Sequence, residues 1–227
     1  MIQKISYPEL FDPFKDIFYS PNNSYLNIVI NIIGKPNIEI CSCIDLFNKH
    51  IDIMIEFASK ISNHAFQFFD QNPQNKIDLI LYDLNRICNA QKFSREAFNN
   101  FSTEEDSIRL IKRLLDTFYV NHKDVITNQC NSIFKDYYLE FSTFDDFTKN
   151  GGSLFLPLLQ RLKLKVFQEL DGQIYPPLKK NSIEDLHKIF NKAGVPFILD
   201  DKSLEQYDET VIAVQIQNIL KKFNPQY

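Results

Sequence analysis

The residues of this 227-residue chain that could carry chemistry are its four histidines (His50, His64, His122, His187), its four cysteines (Cys41, Cys43, Cys88, Cys130) and several paired carboxylates. The histidines are scattered, and none shares a motif with a serine, a cysteine or a carboxylate pair, as nucleophilic or general-base catalysis requires. Cys41-Ser-Cys43 with His50 or His64 would offer metal ligands, but C-x-C is not structural-zinc spacing and no second pair follows. Gly151-Gly152-Ser153 lacks the lysine of a phosphate loop, and Asp171-Gly172 after Glu169 lacks the alternating acids of a calcium loop. Asp145-Asp146 and Asp200-Asp201 stand beside expected helix ends, where capping and the helix dipole account for them. The expectation is a protein that is not an enzyme and holds no metal or cofactor.

Composition narrows the partners. With 44% hydrophobic residues, 24% charged residues and a net charge of -4, the chain reads as an ordinary globular one and not as a polycation built for phosphate backbones, so nucleic acid is not expected. No run approaches the 18 or more apolar residues of a membrane span, and Lys4, Glu9, Asp12, Lys15 and Asp16 interrupt the first stretch where a signal peptide would lie. Four cysteines are too few for a disulfide scaffold, which points to a reduced, cytoplasmic protein.

The elements that would position any site are clearest around Asn191-Lys-Ala-Gly-Val-Pro-Phe-Ile-Leu-Asp-Asp201. Ile183, Leu186, Ile189, Phe190 and Ala193 recur at helical spacing behind Ser182, an N-cap with Asp185 at the third following position. Gly194 suits a left-handed C-cap, and Pro196 cannot continue the ladder, so the helix stops there. After a short apolar crossing, Asp208 opens a second helix with Ile212, Ile216, Ile219, Leu220 and Phe223 on one face and Gln215, Gln217, Lys221 and Lys222 on others.

This order resembles the C-terminal half of a calponin-homology domain: a helix ending in A-G-V-P, then F-I-L-D-D-K-S-L, an acidic D-E and a closing amphipathic helix. Asn150-Gly151-Gly152-Ser153-Leu154-Phe155 is similar to the family's turn into its central helix, with Asn in place of Asp. The likeness covers residues 121 to 223. The family's tryptophans are absent, and phenylalanine is abundant enough to fill that volume.

The front half repeats the pattern. Sliding Ile38 onto Leu139, a shift of 139 − 38 = 101, lays Ile53, Met54, Ile55, Phe57 and Ile61 over Leu154, Phe155, Leu156, Leu158 and Leu162. Ile111, Leu114, Leu115 and Phe118 likewise lie over Ile216, Ile219, Leu220 and Phe223 at a slightly larger shift. The first copy is expected to have a helix near 25–33 bounded by Gly34 and Pro36, a central helix over 45–61, a third after Pro73 and a last one behind Ser102 and Thr103, capped with Glu105 or Asp106. It lacks the glycine turn and the Gly-x-Pro exit. The expected architecture is all-α: two tandem calponin-homology-like domains of about four main helices each, a degenerate one over 1–120 with a proline-broken, aromatic N-terminal arm and a second over 121–227.

Paired calponin-homology units form the actin-binding module of proteins resembling α-actinin, filamin, spectrin and fimbrin. The resemblance therefore implies F-actin as partner and the cytoskeleton as location; microtubule binding or an adaptor role on the same fold is the alternative. By the same resemblance, filament contacts fall on the last helix of the first unit, with Arg109, Lys112 and Arg113, and on the first helix of the second, with Lys123 and Lys135. Turn spacing also pairs Arg109, Lys112 and Arg113 with Glu105 and Asp116 as a solvated helix face.

Overall fold

The computed structural model describes residues 23–34, 40–66, 72–88, 93, 103–120, 123–135, 139–149, 152, 154–162 and 183–223. The expected N-terminal arm, the Ser182 cap and most of the glycine turn lie outside them. The described residues are all-helical with no strand. The helices are α1 (Ser24–Ile33), α2 (Cys43–Asn48), α3 (Ile51–Ser62), α4 (Pro73–Cys88), α5 (Glu104–Phe118), α6 (Lys123–Phe134), α7 (Phe155–Leu162), α8 (Ile183–Ala193), α9 (Asp201–Glu205) and α10 (Glu209–Phe223), with a 3-10 turn at Phe144–Phe147.

The chain divides into two units, one over Ile28–Asn121 and one over His122–Tyr227. The first turn of α1 groups with the second unit. There Ser24 N donates to Asp200 Oδ2 at 3.0 Å, the Tyr25 hydroxyl donates to Asp208 Oδ2 at 2.8 Å, and Asn27 Nδ2 donates to the Ile198 carbonyl at 3.4 Å.

In the first unit the core lies between α2, α3, α4 and α5 and is filled by Leu46, Phe47, Phe57, Leu84, Leu110, Ile111, Leu114 and Leu115. A single central helix over 45–61 is expected from the apolar spacing, but it is broken into α2 and α3. The Lys49 and His50 amides both donate to the Asp45 carbonyl, at 2.9 and 3.1 Å, which closes α2 on one acceptor, and His50 leaves helical geometry before α3 starts. Without glycine, the break falls where the second copy places Asn150-Gly151-Gly152. The start of α2 is closed from afar: both carboxylate oxygens of Glu104 accept from its first amides, Cys43 N and Ile44 N, each at 2.8 Å. Those amides have no partner inside a helix. Lys60 Nζ performs the opposite service for α1, donating to the Ile33 carbonyl at 2.7 Å.

The second unit is built round α10. Val211 to Ile216 are fully buried, Gln215 included, and Gln217 is 5% exposed, so of the residues expected on the polar side the two glutamines are inside, while Lys221 and Lys222 are exposed. Helices α6 and α7 and the 3-10 turn pack on it. Phe134, Phe141, Phe147, Phe155, Phe190 and Phe197 form a continuous chain of ring contacts with centroids 4.9 to 6.0 Å apart. Each such ring contributes roughly 1.5–3 kcal/mol by leaving water. Helix α8 ends as its residues dictate: Gly194 takes φ +65°, and the Val195 amide reaches back to the Phe190 carbonyl at 3.0 Å. The following extended segment, 195–200, is almost wholly buried.

Acidic caps then restart the helices. The Asp200 carboxylate accepts from Ser203 N while the Ser203 hydroxyl accepts from Asp200 N at 3.0 Å, a reciprocal cap on α9. Asp208 Oδ1 accepts from Thr210 N at 3.2 Å and opens α10 where the sequence places its start. Asp146 and Thr143 form the same reciprocal box on the 3-10 turn. In the first unit α5 packs on α2 and α3, and in the second α10 packs on the 3-10 turn and on α7.

Candidate functional site

Helix α5 owes its direction to its ends and its stripe. Thr103 Oγ1 accepts from Asp106 N at 3.1 Å, and Glu104, Glu105 and Asp106 fill the first turn, where negative charge meets the positive end of the dipole. Leu110, Ile111, Leu114 and Leu115 are buried to 2% exposure or less, which fixes which side of the helix is left outside. That side carries Glu105, Arg109, Arg113 and Asp116, with Lys112 half-buried at its flank.

Arg109 is 44% exposed and contacts two acids. Its Nη1 donates to Asp106 Oδ1 at 3.2 Å and its Nη2 to Glu105 Oε1 at 3.2 Å. The two acids differ sharply: the Glu105 side chain is 83% exposed and that of Asp106 only 7%. Turn spacing identifies Glu105 as a partner; Asp106 is missed, although the i, i+3 relation was available in E-E-D-S-I-R. Lys112, Arg113 and Asp116 each have further polar or ring interactions of their own.

The two lysines expected on α6 are placed differently. Lys123 opens the helix and forms an ion pair with Glu209 at 3.1 Å, which ties the first turn of α6 to the first turn of α10. Lys135 is exposed just beyond the other end. At the ordinary helical rise, the two stand about 18 Å apart along the axis and form no cluster. The cations that do share a side are Arg109, Lys112 and Arg113.

Cys130, His187 and Asp146, which lie elsewhere, are each accounted for by their surroundings. Cys130 is buried, which pushes its thiol up to about 12, so it is not a thiolate at neutral pH. Burial lowers the His187 imidazole below its ordinary value; the ring lies 5.3 Å from that of Phe197, and Nε2 is 3.3 Å from Asn191 Nδ2. Lys149 holds the Asp146 carboxyl below the usual carboxylate range, with help from the Ser142 and Thr143 amides. Among the described residues no three or more His, Cys, Asp or Glu side chains gather as metal ligands, and no helix is long and apolar enough to cross a membrane.

No protein-family model, curated protein or solved structure matches this chain.

Proposed function

We propose that this protein is a non-catalytic cytoskeletal binding module that grips a filament, F-actin first, through the exposed side of α5. The observation that carries the reading is the orientation of that helix: four buried leucine and isoleucine side chains lock one face into the core and leave Arg109, Lys112 and Arg113 together at the other. With Arg109, Lys112 and Arg113 against Glu105 and Asp116, that side carries one more cation than acid, which suits an acidic polymer surface and would orient docking even though the whole chain is negative. The packing of α5 on α2 and α3, that of α10 on the 3-10 turn and α7, and the buried exit 195–200 support the calponin-homology resemblance on which the choice of actin rests.

The test is co-sedimentation with actin filaments and, separately, with microtubules, at low and at physiological salt. The expected result is pelleting with actin that weakens with salt and with the triple change of Arg109, Lys112 and Arg113 to Glu. Pelleting with microtubules alone would transfer the same surface to the other polymer. Failure to pellet with actin at low salt overturns the actin reading.

A further inference from the structure

We infer that Arg109 is a preset docking cation for a carboxylate on an acidic protein surface, fixed from behind by Asp106 and screened in front by Glu105. This rests on the binding reading above and adds to it a specific anchor and a built-in competitor. The argument starts from the two acids. Asp106 is buried, so its carboxylate requires a counter-charge, and Arg109 Nη1 supplies it at 3.2 Å. Asp106 is itself fixed through its own amide, which donates to Thr103 Oγ1. A guanidinium held at one nitrogen keeps its plane, and its remaining donors form a fork that matches a second carboxylate.

Glu105 occupies that second position. It is 83% exposed and meets Nη2 at 3.2 Å across an i, i+4 spacing. Exposed pairs of this kind contribute little, because water screens them and two long side chains must be ordered to make them. A partner carboxylate can therefore take the place of Glu105 on Nη2, while Asp106 continues to hold Nη1. Glu105 also adds a like charge beside the arriving acid. It lowers affinity both by occupying the donor and by repulsion.

The geometry gives two neighbouring acids opposite roles. Simple charge counting predicts that neutralising either one strengthens binding to an acidic surface by the same amount. A preset cation predicts that Glu105→Gln strengthens it roughly two- to threefold, on the scale of one exposed pair, and that Asp106→Asn weakens it despite removing the same charge. Arg109→Lys keeps the charge but loses the fork, so it weakens binding and erases the gain in the Glu105→Gln/Arg109→Lys double variant.

The experiment measures the full chain and these four variants in two assays: binding isotherms on actin filaments, and the salt concentration that elutes each from immobilised poly-glutamate. Thermal unfolding is recorded for all; if Asp106→Asn is unfolded at the assay temperature, Arg109→Lys and the double variant decide. The expected order is Glu105→Gln above wild type, and wild type above Asp106→Asn and Arg109→Lys. Wild type that ignores filaments but shows this order on poly-glutamate overturns the actin reading and keeps the preset cation. Equal strengthening by both acid substitutions overturns the inference whatever the filaments do, as does a wild type retained on neither surface at low salt.

Discussion

Gln215 pairs with the backbone at Ile198 as a neighbouring strand would, in a unit with no strand among its described residues. Its Oε1 accepts from Ile198 N at 2.9 Å, and its Nε2 donates to the Pro196 carbonyl at 2.9 Å. One side chain on the central helix thus satisfies both kinds of backbone group on a buried extended segment. Replacing Gln215 by Leu preserves much of the volume but leaves the buried Ile198 amide without its acceptor. The predicted cost is about 2 kcal/mol, read as a lower urea midpoint at unchanged slope. An unchanged midpoint would show that the segment finds its partners elsewhere.

Two glycines make a paired test of backbone strain. Gly34 and Gly152 both have positive φ, +72° and +75°, so alanine costs roughly 1–2 kcal/mol of strain at either. Only Gly152 is also crowded: a Cβ there would lie 2.9 Å from Leu186 Cδ1 and 3.2 Å from Phe155, whereas at Gly34 nothing lies within 4 Å. Gly152→Ala is predicted to lose about 1–3 kcal/mol more than Gly34→Ala through overpacking. Differential scanning calorimetry on the two variants should separate their melting temperatures in that order.

His187 predicts the direction of one pH dependence. Burial lowers its folded-state pKa, so below the ordinary histidine value of about 6.5 the unfolded chain takes up a proton that the folded chain resists. Its contribution to stability is therefore complete above that value, declines as pH falls, and stops declining once the folded-state pKa is passed. Urea unfolding at pH 7.5 and 5.5 should show a smaller decline for His187→Gln than for wild type. An identical decline would assign it to other groups.

The cysteines should react in an order set by burial. Cys41 is exposed, Cys88 partly covered, and Cys43 and Cys130 are buried. With a disulfide reagent at neutral pH, the native protein should show a fast phase that Cys41→Ser removes, while Cys43 and Cys130 react only as fast as the chain opens. Fast labelling of Cys130 would contradict its enclosed position.

The parts of this fold legible in the sequence are those whose cause is local. Gly194 and Pro196 end α8, Thr103 caps α5 and Asp208 opens α10 because each acts within a few residues of itself. The buried α5 stripe was readable for the same reason. What could not be read depends on a distant partner or on a burial that local spacing does not display. The polarity of Gln215 suggests an outer face until the backbone of 195–200 is laid beside it. Lys123 reads as a surface charge until Glu209 is brought to it. The break at Lys49-His50 contains neither glycine nor proline to mark it, and Asp106 looks like one more first-turn acid until its burial sets it apart from Glu105.

The contact of Glu104 with the amides of Cys43 and Ile44 makes one helix of the first unit conditional on another. A six-residue helix cannot nucleate itself in water, and these amides gain their acceptor only when a residue far along the chain arrives. Helix α2, capped locally only by Ser42 on Asp45 N, therefore depends on α5 for the closure of its first two amides.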